Sequence, residues 1–553
     1  MKKIFFLSFI FLQHNLQAQA IPNLEDLSLD EKIGQLIMMA TISSSDRNQE
    51  FIKQSPYILN MNYTEKIIRD YAIGGVIFLG AGSPQEQYKE TERLQLISKY
   101  PLLVGLDAEW GLAMRHQENV IRFPRAMTLG ALSPEDDHLI NELGKEIGFQ
   151  CRALGVHINF APVVDVNNNP RNPIINTRSF GESAEKVAHK ASLFMHGMQS
   201  AGILACAKHF PGHGDVEIDS HYQRGIINRS QARLNEIELF PFKYIIDNGI
   251  DAIMTAHLDV PSLAGNDNVP ATLSHNIITT LLRKELNFHG LIITDALGMK
   301  GVADDFNLGE LELQALKAGN DILLCPIDIP RAIARIKRAL QEGELHEKDL
   351  DAHVERVLSA KRKAIDIIDQ KKLLFDLSYF VNPHAQMLKE KLYQAAVTLV
   401  RVGDGPVQLP LTKEKKIVVK TFGNAQVFVQ SLAEHISIEH FQSDLFGYQD
   451  EFNKQPFDNA DQIIVSIHLE GRSGMIEMQN KEGNSLPASY LTFIAKYAKK
   501  IILVIFGNPY NLAYFSDVPI VVVGYENEPE AQRAVAQALL GLYKPTGILP
   551  VTA

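Results

Sequence analysis

Short, unbroken apolar runs recur along the first two thirds of the chain, and they restrict the fold more than any other feature. They are Gly75–Leu79, Leu102–Leu106, Val156–Phe160, Ile203–Ala207, Ala252–Ala256, Leu291–Thr294 and Ile322–Cys325. Each is followed by a polar or glycine-bearing turn and then by helix-like sequence. A strand with one wet face alternates apolar and polar residues, whereas these do not alternate. They suit a parallel sheet covered by helices. Units of this kind over about 350 residues predict an α/β fold with an N-terminal (β/α)8 TIM-type barrel. A doubly wound open sheet is the competing architecture. Ahead of the first run, Ser28 and Glu31 form a capping box, which predicts a helix through the amphipathic stretch Ile33 to Met39.

The chain has 553 residues, more than one ordinary core accommodates. The charged stretch Asp369-Gln370-Lys371-Lys372 reads as the start of a linker. Beyond it, Ile417–Val419, Ile463–Ile467, Ile501–Ile505 and Ile520–Val523 again alternate with helical sequence. The expected organisation is a barrel domain over 21–370, a linker over 371–391 and a smaller α/β sandwich domain over 392–553. Residues 1–20 read as a signal peptide: Lys2 and Lys3, the apolar run Ile4 to Leu12, then Ala18-Gln19-Ala20. That run is too short to anchor in a bilayer. Periplasmic or secreted localisation is therefore expected, without an integral membrane segment after processing. A formal net charge of -11 argues against a nucleic-acid partner. Cys151, Cys206 and Cys325 lie far apart in apolar surroundings and lack C-x-x-C spacing, so they read as buried structural thiols.

The residues that follow the runs carry the chemistry. Asp107, Asp165, Lys208-His209, His257 and Asp295 each stand at or just after a predicted strand end. In a parallel barrel those ends share one face, where catalytic groups collect. Any one of them is explained equally well as an ordinary turn former; five together indicate a shared site. The densest segment runs from Lys208 through His209, Gly212, His213, Gly214 and Asp215 to Asp219 and His221. Its glycines give pliability, its lysine donates strong hydrogen bonds, and Asp219 could orient His221 for proton transfer. A solvated polar loop is the plain alternative. Zinc spacing is lacking, so neither metal nor cofactor is expected. Asp295 is flanked by apolar residues in Thr-Asp-Ala-Leu-Gly-Met, which suits a nucleophile, although a helix N-cap would look the same. Asp107-Ala108-Glu109-Trp110 with Arg115 unites carboxylates with the only tryptophan, and Arg178 adds a planar donor fork.

Together these clusters resemble glycoside hydrolase family 3, and within it the β-N-acetylglucosaminidases. The motif from Lys208 to Asp215, with Asp219-Ser220-His221, is similar to that subfamily's signature. The resemblance implies Asp295 as nucleophile, His221 as acid/base and Asp219 as its orienting carboxylate. It also implies Asp107, Arg115, Arg178, Lys208 and His209 as residues that hold the terminal sugar, and His213 as structural. Order and spacing agree over roughly 25–370. Trp110 departs from the family pattern, standing where single-domain members commonly have glycine. The chain stops at Gly547–Ala553, a motif near the end of the second domain, after which relatives continue into other modules.

The implied activity is a two-step, retaining exo-hydrolysis of terminal β-linked N-acetylglucosamine from peptidoglycan fragments or chitin-type oligosaccharides, with carbohydrate as the partner. A neutral imidazole would not repel an anionic acceptor, so phosphorolysis is an alternative. A β-glucosidase or β-xylosidase of the same family, and a non-catalytic cell-wall-binding protein, are further alternatives.

Overall fold

The computed structural model describes residues 20–43, 52–53, 55–80, 82–217, 225–265, 267, 269–303, 306–370, 374–402, 409–443, 455–469 and 488–552. Eight parallel strands make the first sheet: β1 (Ile37–Thr41), β2 (Gly75–Phe78), β3 (Leu103–Leu106), β4 (Ile158–Asn159), β5 (Leu204–Phe210), β6 (Ala252–Thr255), β7 (Leu291–Thr294) and β8 (Leu323–Leu324). Their spatial order follows the chain, with β8 lying beside β1. A parallel bridge from Ile293 to Ile322, with the Thr294 amide donating to the Ile322 carbonyl at 3.0 Å, brings β7 to β8. The sheet thus curls into a barrel. A doubly wound sheet would show a reversal of strand order, and there is none here.

Two sequence expectations are corrected in this domain. The stretch Ile33 to Met39 is not one helix. Ser28 caps Leu29–Gln35 through the expected capping box, and the chain then extends as β1, buried at every residue. With no polar face in Ile37–Thr41, periodicity cannot separate strand from helix, and pairing to β2 and β8 decides. Likewise, β5 does not end before Lys208 but runs through Phe210.

The expected linker over 371–391 is also partly helical. Asn382 caps the helix Pro383–Ala396 by accepting from the Ala385 amide at 2.8 Å. Ala385, Leu388, Leu392 and Ala396 form its buried stripe. The helix packs against the barrel helix His138–Ala153 and against Pro529–Leu539 of the second domain. It therefore joins the two domains side by side.

The second sheet contains β9 (Thr398–Val402), β10 (Ile417–Phe422), β11 (Ile438–Ser443), β12 (Gln462–His468), β13 (Ile501–Phe506) and β14 (Ile520–Val523). Its order is β9-β14-β13-β12-β10-β11. Only β9 is antiparallel to its neighbour. The four central strands are those visible as apolar runs. The outer strands β9 and β11 are half wet, so they lack that signature. Among the described residues no helix is long and apolar enough to cross a membrane. Cys151, Cys206 and Cys325 are buried free thiols.

Lys361 lies on the long helix Glu347–Gln370 with no exposed surface. Its Nζ donates to Gln35 Oε1 at 2.6 Å and to the Pro101 carbonyl at 2.7 Å. Burial pulls its ammonium down from 10.5 to about 7. Between those values the unfolded chain holds the extra proton, so stability rises with pH there. The slope is up to about 1.4 kcal/mol per pH unit. Relative to wild type, Lys361→Met should therefore melt at progressively lower temperature as pH rises from about 7 to about 9.5. A melting-temperature difference that stays flat across that range would refute this.

Candidate active site

The strand-exit face of the barrel gathers the predicted residues. The turn after β3 is pinned from β4: Asn159 Oδ1 accepts from the Ala108 amide at 2.9 Å, and its Nδ2 donates to the Ala108 carbonyl at 3.3 Å. That clamp sets Asp107 and Glu109 on either side of Ala108. Gly111, with φ +82°, turns the chain back, and a Cβ there would lie 2.8 Å from the Phe123 ring. Lys208 rises from the end of β5 between the two carboxylates, 2.8 Å from Asp107 Oδ1 and 2.9 Å from Glu109 Oε1. Arg115 closes on Asp107. Arg178 forks onto Glu109, with Nε to Oε2 at 2.9 Å and Nη2 to Oε1 at 2.7 Å.

His209 is held from β4's exit. Its Nδ1 lies 2.7 Å from Asp165 Oδ2, and its Nε2 is 3.5 Å from Arg178 Nη2. Asp165 also accepts from the His209 amide at 3.1 Å and from the His213 amide at 2.7 Å. This one buried carboxylate therefore orders the whole start of the motif. His213 is buried with its ring edge-on to His209. Burial, reinforced by His209, lowers its imidazole to about 4. It is neutral near pH 7, in keeping with a structural role.

Three cations and two carboxylates meet in this cradle. Burial alone would push both carboxyls up, but the cations win. Lys208 and Arg115 hold Asp107 well below the usual carboxylate range. Arg178 and Lys208 hold Glu109 at about 2. Acceptors and donors in the cradle thus keep their charges across ordinary pH. Burying a lysine this deeply is costly unless well-placed carboxylates compensate. What the cradle presents, ionised oxygens interleaved with N–H donors, fits a ring of hydroxyl groups.

Asp295 emerges from β7. Its Oδ1 accepts from the Ala296 amide at 2.8 Å, and its own amide donates to the Thr255 carbonyl at 2.9 Å. It is half-buried and does not cap a helix, since the next helix starts at Lys300. His257 steadies the turn: Nδ1 is 2.9 Å from Thr272 Oγ1, and Nε2 is 3.2 Å from the Ala296 carbonyl. Asp295 shares the rim with the cradle. Asp107 and Asp295 both raise the buried Cys206 and Cys325 thiols, on top of burial itself.

Of the sequence-predicted residues, Asp107, Arg115, Arg178, Lys208 and His209 converge in one network, and Asp295 stands on the same rim. Asp219 and His221 lie outside the described residues. On the described residues to either side, Arg229 Nη2 lies 3.2 Å from Asp215 Oδ1. Glu109 was legible only as a neighbour of Asp107; its pairing with Arg178, 69 residues on, was not. Tyr57 carried no signal at all. Its ring packs on Gly298, where a Cβ would lie 2.5 Å from Cε1. Burial raises its phenol, with Cys325 and Asp295 nearby. Trp110 is half-buried with the Arg125 guanidinium 4.8 Å from its ring centroid, so it belongs to the wall beside Glu109.

A (β/α)8 barrel that gathers paired carboxylates and cations beside a half-buried aspartate on its strand-exit rim has the layout of a barrel enzyme. The family profile described as "Glycosyl hydrolase family 3 N terminal domain" matches residues 28–360. The chain is 30% identical over 547 residues to a Beta-hexosaminidase A of Pseudoalteromonas piscicida, spanning 88% of this chain and 90% of that one. It is 24% identical over 560 residues to a Beta-N-acetylglucosaminidase/beta-glucosidase of Cellulomonas fimi, spanning 96% and 94%. Among solved structures, a glycoside hydrolase family 3 beta-N-acetylglucosaminidase from Paenibacillus sp. str. FPU-7 superposes with a TM-score of 0.77 at 29% identity. That superposition covers 95% of this chain and 99% of the other. The chain belongs to glycosyl hydrolase family 3 and is a glycosidase.

Proposed function

We propose that this glycosidase is an exported, retaining exo-β-N-acetylglucosaminidase that acts on peptidoglycan fragments or chitin-type oligosaccharides. The observation that carries the reading is the placement of Asp295 on the same rim as the Lys208–Asp107–Glu109–Arg178 cradle. The Lys208–His221 motif and the names of the similar proteins favour N-acetylglucosamine over glucose. Export rests on the sequence of residues 1–20, of which 1–19 lie outside the described residues.

In this reading the terminal sugar sits in the cradle, its hydroxyls donating to Asp107 and accepting from Lys208, Arg115 and Arg178. The Asp295 carboxylate attacks the anomeric carbon as the glycosidic C–O bond breaks, and His221 gives its proton to the departing oxygen. Water then attacks the glycosyl ester, His221 takes the proton, and Asp295 is released. Asp219 orients the imidazole. Two inversions return the β configuration. Because a neutral base does not repel anions, phosphate is an admissible second-step acceptor.

The test is release of p-nitrophenol from the β-N-acetylglucosaminide and from the β-glucoside, each with and without phosphate. Faster release from the first is expected; release only from the glucoside would overturn the reading. A sugar 1-phosphate formed in phosphate buffer would make the enzyme a phosphorylase. His221→Ala should spare aryl substrates, whose leaving group needs little protonation, far more than a chitin-type disaccharide. The expected gap is at least about tenfold; equal losses on both would remove His221 as the acid.

A further inference from the structure

The stretch 167–182 carries Arg178, and it is held from outside the barrel. At the exit of β13, Asn508 donates through Nδ2 to Asn176 Oδ1. The Tyr510 hydroxyl donates to the Asn167 carbonyl at 2.7 Å and accepts from Asn167 Nδ2 at 3.2 Å. Asn167 Oδ1 in turn accepts from the Asn176 amide at 2.9 Å. Asn508 also accepts from the Tyr510 amide at 3.1 Å, capping the turn Pro509–Tyr514. These four side chains are buried. Asn176 adopts φ +40°, a left-handed conformation that L residues enter at a cost and that its amide contacts offset here.

The ladder leads directly to the site. The Arg178 amide donates to the Ile175 carbonyl at 2.7 Å, and the Arg178 fork lies on Glu109. Further contacts brace the same stretch. Glu526 accepts from the Arg125 amide at 2.8 Å and from Thr128 Oγ1 at 2.7 Å, while Arg125 reaches Thr177 Oγ1 at 3.1 Å. The Glu182 amide donates to the Pro550 carbonyl at 3.2 Å. A seam needed only for adhesion would be closed at less cost by apolar side chains. A polar ladder in which Asn508, Tyr510, Asn167 and Asn176 pair with one another instead specifies one geometry.

We propose that Asn508 and Tyr510 of the second domain are positioning residues for sugar binding. They fix the Asn167–Asn176 turn so that Arg178 presents its fork both to Glu109 and to the bound sugar. The second domain thereby completes a site whose reacting groups all belong to the barrel. This rests on the reading of Arg178 as a sugar-holding residue.

Tyr510→Phe keeps the ring packed against Met127 and Val551 and removes only the hydroxyl. Asn508→Ser keeps a capping oxygen but cannot reach Asn176. Both should lower kcat/KM on the order of tenfold, chiefly by raising KM, because small misplacements of binding groups are costly. In an Arg178→Lys background, which retains charge and lacks the fork, the same changes should have less than about a twofold effect. The assay uses whichever aryl glycoside the wild type cleaves faster, so failure of the N-acetylglucosamine reading would appear in the wild type alone. A lowered melting temperature with unchanged KM, or an equal loss in the Arg178→Lys background, would overturn the proposal.

Discussion

Replacing Asp295 with alanine is expected to reduce turnover of an aryl glycoside by at least about four orders of magnitude while leaving the barrel folded. The carboxylate is half-buried and its backbone is carried by the end of β7, where the amide of residue 295 bonds to Thr255 whatever the side chain. Truncation removes the hydrogen bond from the Ala296 amide, a contact worth about 1 kcal/mol of stability. In the proposed mechanism the catalytic loss should far exceed that, because the glycosyl ester forms on this carboxylate. Azide offers a direct check. It can enter the space left by the side chain, attack from the same face and leave a glycosyl azide of inverted configuration. Restored release of the aryl group with that α product identifies Asp295 as the nucleophile. Turnover that persists without azide excludes it.

The second large effect is expected at Lys208. Its side chain is 3% exposed and lies between Asp107 and Glu109. Lys208→Met removes a buried charge shared by two part-buried carboxylates, leaving Arg115 on one and Arg178 on the other. Breaking a buried pair from one side costs about 3–5 kcal/mol, so the melting temperature should fall clearly. Asp107 and Glu109 should also lose part of the pull that keeps them ionised, and their tendency to donate rather than accept at low pH should grow. We therefore expect kcat/KM to fall by about two to three orders of magnitude at neutral pH. The loss should deepen as pH drops toward about 4.5, the ordinary glutamate range. Measuring the pH profile beside the folded fraction separates the roles. A loss that merely follows unfolding, with an unchanged profile, would assign Lys208 to stability alone.

The apolar runs were enough to read the barrel, because a strand buried on both faces writes that burial into consecutive residues. The capping box at Ser28 and Glu31 was equally local, and it appears as expected. The gathering of residues on one face was legible for a related reason: in a parallel barrel every strand ends on the same side, so residues after the runs had to meet. Short-range pattern failed where burial did not vary along the element, as in β1, or where one face was wet, as in β9 and β11. It failed again at Pro383–Ala396, where tertiary packing of a short buried stripe converted half an expected linker into a helix.

Pairing belonged to the tertiary structure. Lys208 meets Asp107 across 101 residues, Arg178 meets Glu109 across 69, and Asn508 meets Asn176 across 332. Residue types at strand ends announced that carboxylates and cations would gather. Which carboxylate takes which cation depends on barrel closure and on the clamp that Asn159 places on Ala108. The part played by the second domain was invisible for the same reason. Asn508 and Tyr510 stand in an ordinary turn, and their polarity acquires meaning only when docking buries them against Asn167 and Asn176 and leaves each other as the available partners.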